Sequence, residues 1–270
     1  MSTLTLSPYT FAQDHQYNLQ AEPQQISLIS GLFEISGLAV ASENSVYAHN
    51  DEHSIVYEID ISSGQVQSAF ALGNPTLAAD FEGIAAWNGR IYLITSDGLL
   101  YEALIGAHQS RAKFNAYDTG VGEFCEVEGL AVGPAHPSGE GNFLILCKSA
   151  RQPELRDRLN IFTWNLEDRL PVSTPWMSLE RDDILKKKEQ KKFKPSAIEW
   201  KEDTAHLLII SGSNNQYIRL AQEGTVIAKS KLRSQYHRQA EGLTIMPSGH
   251  IVIADEGSSR QAGQLSIYKP

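Results

Sequence analysis

Six acidic side chains fall at two matched positions of a short phrase that returns five times along the chain. The phrase reads Glu34-Ile35-Ser36-Gly37-Leu38, Asp80-Phe81-Glu82-Gly83-Ile84, Glu126-Val127-Glu128-Gly129-Leu130, Lys194-Pro195-Ser196-Ala197-Ile198 and Gln239-Ala240-Glu241-Gly242-Leu243. Its Gly or Ala recurs at steps of 46, 46, 68 and 45 residues. Three residues before that Gly or Ala stand Glu34, Asp80, Glu126, Lys194 and Gln239, and one before stand Ser36, Glu82, Glu128, Ser196 and Glu241. Positions two apart on a strand share a face. If each phrase opens a strand beside a common axis, the six carboxylates therefore meet at one mouth. Like charges crowded at reduced dielectric must protonate, hydrate or bind a cation. Oxygen donors of this kind suit a hard ion such as Ca²⁺, whereas neither Cys nor a tight His cluster is on hand for zinc. Glu82, Glu128 and Glu241 lead the expected ion ligands, with Glu34, Asp80 and Glu126 behind them. The plainer reading is that these acids cap strand ends and solvate the channel.

A period of this length marks a repeat architecture. Within each repeat, short Val/Ile/Tyr-rich runs lie between Gly, Ser, Asn and Asp clusters, which is a strand signal. The first repeat gives runs over 35–41, 45–49, 55–61 and 65–72, and Asn88-Gly89 in the second marks a tight hairpin. The fifth repeat runs out after three strands, while 17–30 offers a spare one to complete it. Four-stranded units closed by one terminus completing the other's unit describe an all-β, five-bladed β-propeller. A six-bladed ring is the alternative, should the long third interval hide a blade. The whole chain, 1–270, is expected to form one domain. Its extra length, over 180–192, is read as one polar helix between blades three and four, with acids early and lysines late.

The second strand of each unit runs back to the same mouth. Its ends add His49, Asp51, Asp97, Lys148 and Asp255, and Arg151, His237 and Arg238 lie close by in the chain. These are the expected rim residues for an unknown small molecule or protein partner, with His237 and Arg238 facing solvent from a loop. Cys125 and Cys147 fall in neighbouring strands of one repeat; two buried free thiols are preferred to the cross-strand bridge that the strands also allow. The net charge of −9 argues against a nucleic-acid or anionic-membrane surface. No run is long and apolar enough for a membrane span, and no export signal opens the chain. The compartment expected of the chain as it stands is the cytoplasm, or the periplasm or envelope if a leader precedes it.

The phrase series, with Asn50-Asp51 after the second strand and Ile55-Val56-Tyr57-Glu58-Ile59-Asp60 in the third, resembles the SdiA-regulated family of bacterial β-propellers from about residue 35 to 253. That family is related to esterase-like domains grouped with the phytases. The resemblance implies a propeller with calcium near the channel mouth, and the family's acidic phrase carries over onto Glu82, Glu128 and Glu241. The fourth repeat departs from it, with Ser196-Ala197 in place of an acid and Gly.

Besides a purely structural or scaffolding propeller whose rim charges serve solubility, two function classes remain. One is a calcium-binding module presenting its channel mouth to a ligand or protein. The other is a metal-dependent hydrolase of a phosphoester, ester or lactone, in which the ion acts as Lewis acid and a carboxylate as base, helped by His49, Lys148, Arg151, His237 or Arg238. Serine hydrolysis lacks its G-x-S-x-G elbow. Neither a P-loop nor a dinucleotide fingerprint is present.

Overall fold

The run after each phrase is apolar on both faces, which fits a strand sandwiched between neighbouring sheets. Ile35–Val40 is buried along nearly its whole length, whereas the outer-edge strand Val226–Lys231 alternates half-buried with exposed residues. The computed structural model describes residues 17–258 and 261–270; residues 1–16, on which the reading of the N-terminus rested, lie outside them together with Ser259 and Arg260.

Five antiparallel four-stranded sheets follow one another. Their innermost strands are Ile35–Val40, Phe81–Trp87, Cys125–Val132, Ala197–Lys201 and Ala240–Ile245. Each packs against the next, and the fifth packs against the first, so the ring closes as a five-bladed β-propeller. The closing strand is Gln24–Ser27. It pairs antiparallel with Gln264–Tyr268, so the start of the described chain completes the fifth blade. One addition had no signal in the repeat: Arg111–Ala112 lies parallel to the outer strand Val66–Leu72 of blade one.

The turns behave as their residues dictate. Asn88 and Gly89 both adopt positive φ, 46° and 72°, the geometry of a tight hairpin whose twist matches its strands. After Ile55–Asp60, Asp60 Oδ1 accepts the backbone N–H groups of Ser62 and Ser63, at 3.0 and 2.9 Å, and turns the chain into the fourth strand.

Two expectations need correction. The segment 180–192 is not one helix but two single turns, Arg181–Ile184 and Lys187–Gln190, separated at Leu185, whose backbone is extended (φ −132°). Ile184 and Leu185, on either side of the break, both bury in the core between blades three and four. The cysteines are not free thiols: Cys125 and Cys147 form a disulfide, with their Cα atoms 5.5 Å apart. Register shifts on both sides of Val127 bring Cys147 beside Cys125, an offset that regular pairing would not suggest.

The crowded axis generates a stability prediction. A Cβ at Gly83 would lie 2.6 Å from the backbone N of Leu130 on the next blade. Gly83→Ala should therefore destabilise the protein by about 2–3 kcal/mol, read as a lower midpoint in urea unfolding.

Candidate functional site

What aims the phrase acids inward is a break in the ladder. In blade one Ile35 pairs with Asn50 and Gly37 with His49, so Ser36 is skipped. Glu82 is skipped between Phe81–Thr95 and Gly83–Ile94, and Glu241 between Ala240–Asp255 and Gly242–Ala254. Glu128 is skipped in the same way between Val127 and Gly129. These residues are the extra members of β-bulges, which bend the strand and re-aim the side chain. Blade four has no bulge here. Ser196 instead donates to the carbonyl of Ala240 at 2.6 Å and accepts from Gly212 N–H at 3.0 Å. Backbone bonds between blades fix the heights of two acids: Phe81 N–H donates to Asp51 O at 2.7 Å and Val127 N–H to Ser96 O at 2.9 Å.

Lys148 is also left out of its own ladder, between Cys147 and Ser149. Its ammonium donates to Glu128 Oε1 at 2.7 Å and stands 3.6 Å from Glu126 Oε1. The Ser36 hydroxyl donates to Glu82 Oε2 at 3.0 Å. Glu128 Oε2 is buried without a hydrogen-bond partner. Around this centre lie Asp80, whose charge acts on Glu82 and Glu128, and a group of Glu34, Asp51 and Glu256, whose charges act on one another. Glu34 and Asp80 are exposed and Glu126 half-buried. Among the described residues no three Asp, Glu, His or Cys side chains stand close enough, as placed, to hold a metal ion. The cation already at the centre is Lys148.

The protonation states follow from crowding and burial. Burial, and then the charge of Glu128, push the Glu82 carboxyl up to about 8. Burial pushes Glu128 up to about 7 despite its bond to Lys148. Glu241 is held well above the ordinary carboxylate range by burial, then by Glu128 and Glu256. Glu256 rises to about 7 through burial, then through Asp51 and Glu34. Burial alone would lower Lys148, but its hydrogen bond to Glu128 and the surrounding carboxylates raise it. At neutral pH the mouth therefore holds several of its protons.

Residues 179–265 match the SdiA-regulated family model. That stretch spans the fourth blade and the fifth as far as Leu265, and the resemblance carried by the phrases holds there. No curated protein matches the chain. Among solved structures, the PQQ-bound aldose sugar dehydrogenase of Streptomyces coelicolor is similar with a TM-score of 0.57 at 11% identity, over 90% of this chain and 96% of that one. A luciferin-regenerating enzyme is similar with a TM-score of 0.52 at 9% identity, over 92% and 95%. At such identities the likeness is one of fold.

The rim residues expected beside the phrase divide sharply. Lys148 and Asp51 reach the acidic mouth. Asp97 is exposed in a turn, held by the Thr95 hydroxyl, and Arg151 donates to Gly122 O at 2.6 Å. His49 is fully buried, with Nδ1 2.8 Å from Asn50 O and its ring edge-on to Phe81; burial lowers it to about 4, so it is neutral. His237 does not face solvent. It is fully buried, with Nδ1 2.8 Å from Asp255 Oδ2 and Nε2 2.6 Å from the Tyr268 hydroxyl, because the preceding loop folds back and ties two strands of blade five. Arg238 is exposed, and Asp255 is committed to His237 and to Gln239 N–H. Sequence reasoning missed the weight of Glu256, and missed Glu199 at the far end of the channel altogether. Glu199 has a signal in the repeat: two residues after the Gly or Ala, where it stands, the other four units carry Ala39, Ala85, Ala131 and Thr244.

The raised carboxyls make stability fall with pH. Their folded-state values lie above the unfolded one of about 4.5, so the stability they contribute is complete below that pH and is lost as pH rises through 7–8. Glu82→Gln mimics the protonated acid. It should leave the melting temperature nearly unchanged at pH 5 and raise it at pH 8.5, by the equivalent of about 1–3 kcal/mol. Lys148→Met leaves Glu128 buried beside unrelieved like charge. It should cost about 2 kcal/mol at pH 8, and Glu128→Gln in the same chain should recover most of the loss in denaturant melts.

Proposed function

We propose that this chain is a ligand-binding propeller whose acidic mouth takes a divalent cation, Ca²⁺ above all, with Lys148 as the resident counter-ion that yields to it. The observation that carries the reading is Glu128 Oε2, buried and unpartnered, with Glu82 on the adjoining inner strand and Glu241, from blade five, near enough for the charges of Glu128 and Glu82 to act on it. The donor set fits a hard ion: carboxylate oxygens from Glu82, Glu128 and Glu241, with the Ser36 hydroxyl on Glu82, and Asp80, Glu126 and Glu34 adding charge around them. An ion bound there would supply a fixed positive charge able to orient an anionic or carbonyl-bearing partner.

Binding is favoured over hydrolysis by where the expected catalytic helpers lie. His49 and His237 are sealed in the core, and Arg151 is bonded to a backbone carbonyl. A general acid or base must reach the proton that it moves, and Lys148 alone of these helpers reaches the acidic centre. The Cys125–Cys147 disulfide supports an oxidising compartment for this reading, since such bonds are rare in the cytosol.

Ion binding must expel the protons that the mouth holds, so affinity should climb with pH. Thermal unfolding of chelator-treated protein should show a rise on adding Ca²⁺ that is larger at pH 8.5 than at pH 6. The Glu82→Gln/Glu128→Gln variant should show no rise at either pH. An equal rise in wild type and variant would move the ion elsewhere, and no rise in the wild type would sink the reading.

A further inference from the structure

The channel has a second end. Past the phrase glycines it narrows to a space of about 10 Å³, lined by Ser36, Glu82, Ser196 and Glu241 with the apolar residues that follow them. That is room for about one water molecule, so little space joins the acidic mouth to the other side. Beyond the constriction the inner strands part around a separate cavity of about 280 Å³. Its walls are Leu, Ile, Val and Ala side chains with Trp87, and its polar side chains are Glu199 and Thr244.

The repeat shows how this cavity arises. Position two after the Gly or Ala is Ala39, Ala85 and Ala131 in the first three blades, Glu199 in the fourth and Thr244 in the fifth. Three methyl groups leave open what larger side chains would fill. The Thr244 hydroxyl donates to Glu199 Oε2 at 2.7 Å, and Trp200 N–H donates to Oε1 at 3.0 Å, so the carboxylate is fixed in place and still has lone pairs to offer. Glu199 differs from Glu128 in one respect that decides what it can take. Glu128 has Lys148, whereas no basic side chain lines the cavity around Glu199. Burial pushes the Glu199 carboxyl up to about 7, against the pull of the Thr244 hydroxyl and two backbone N–H groups, and no neighbouring positive charge offsets it.

We infer that this cavity is a binding site for a small organic ammonium compound, its charged head on Glu199 and its apolar body against Ala86, Val132 and Ile245. A carboxylate fixed at one side of an otherwise apolar cavity is complementary to a cation of that build. An ammonium delivered there makes a charge-assisted hydrogen bond at reduced dielectric, while the apolar walls gain from covering hydrocarbon. The volume admits a ligand somewhat below drug size. The cavity and the acidic mouth are distinct sites at opposite ends of one channel, and the ligand proposed here does not depend on an ion at the other end.

The test uses benzylammonium as the cation and benzyl alcohol as its uncharged counterpart, titrated by calorimetry into the whole chain at pH 8. Wild-type protein should bind benzylammonium at least tenfold more tightly than benzyl alcohol. Glu199→Gln keeps the shape while removing the charge: its oxygen can still accept from Trp200 N–H and its NH2 group can donate to the Thr244 hydroxyl. This variant should weaken benzylammonium at least tenfold. Ala86→Leu, at a half-buried position of the cavity wall, should weaken both probes by occluding the space. Circular dichroism and melting curves on each variant separate a lost site from a lost fold. Benzylammonium binding unchanged in both variants, displaced by Ca²⁺, or absent from the wild type would overturn the assignment.

Discussion

Five inner strands crowd one axis, and most of what is distinctive in this protein follows from that crowding. Where Gly83 meets the backbone of Leu130, not even a methyl group fits. The same holds at Gly242, where a Cβ would press against Leu38 at 2.9 Å. Strands brought so close cannot also place a long side chain at the glycine position. The bulge just before it solves the problem by lifting one residue out of the ladder toward the channel. Repeated in four blades, that device turns a packing necessity into a ring of aimed side chains, Ser36, Glu82, Glu128 and Glu241.

Aiming carboxylates at one another has an electrostatic consequence. Burial and mutual repulsion favour their neutral forms, and one ammonium cannot balance them all. Lys148 reaches Glu128 and Glu126 because it too is lifted out of its ladder, on the strand that the Cys125–Cys147 disulfide ties to the phrase. Three features of blade three, the two register shifts, the disulfide and the lysine, therefore belong to one local arrangement. At neutral pH the site therefore answers its crowding with bound protons and the Lys148 ammonium. At the other end of the channel the balance is different, with a single carboxylate, no internal cation and apolar walls.

The repeat made much of this legible. The phrase period gave the blade count, Asn88-Gly89 gave its hairpin, and the missing strand of the fifth unit pointed to the segment that supplies it, now seen as Gln24–Ser27. Glu82, Glu128 and Glu241 do gather where strand alternation put them, although by bulges rather than by alternation. Other readings failed where a residue's neighbours come from distant sequence. His237 looked like a loop residue because nothing near it in the chain reveals Tyr268 or Asp255. Cys125 and Cys147 looked like separate thiols because register shifts leave no mark in a list of strands. The helix over 180–192 looked continuous because its charges follow a dipole, while Ile184 and Leu185, where it breaks, pack against strands of blades three and four that lie elsewhere in the chain.

The sequence by itself determined the architecture, since period, turn residues and alternation are local signals repeated often enough to reinforce one another. It also determined which residue types would stand near the axis. Only the tertiary structure decided which charges meet, how deeply each is buried and which cation answers them. Protonation and pairing depend on distances of a few ångströms between blades, and these are set by how five sheets close on one axis rather than by any stretch of chain.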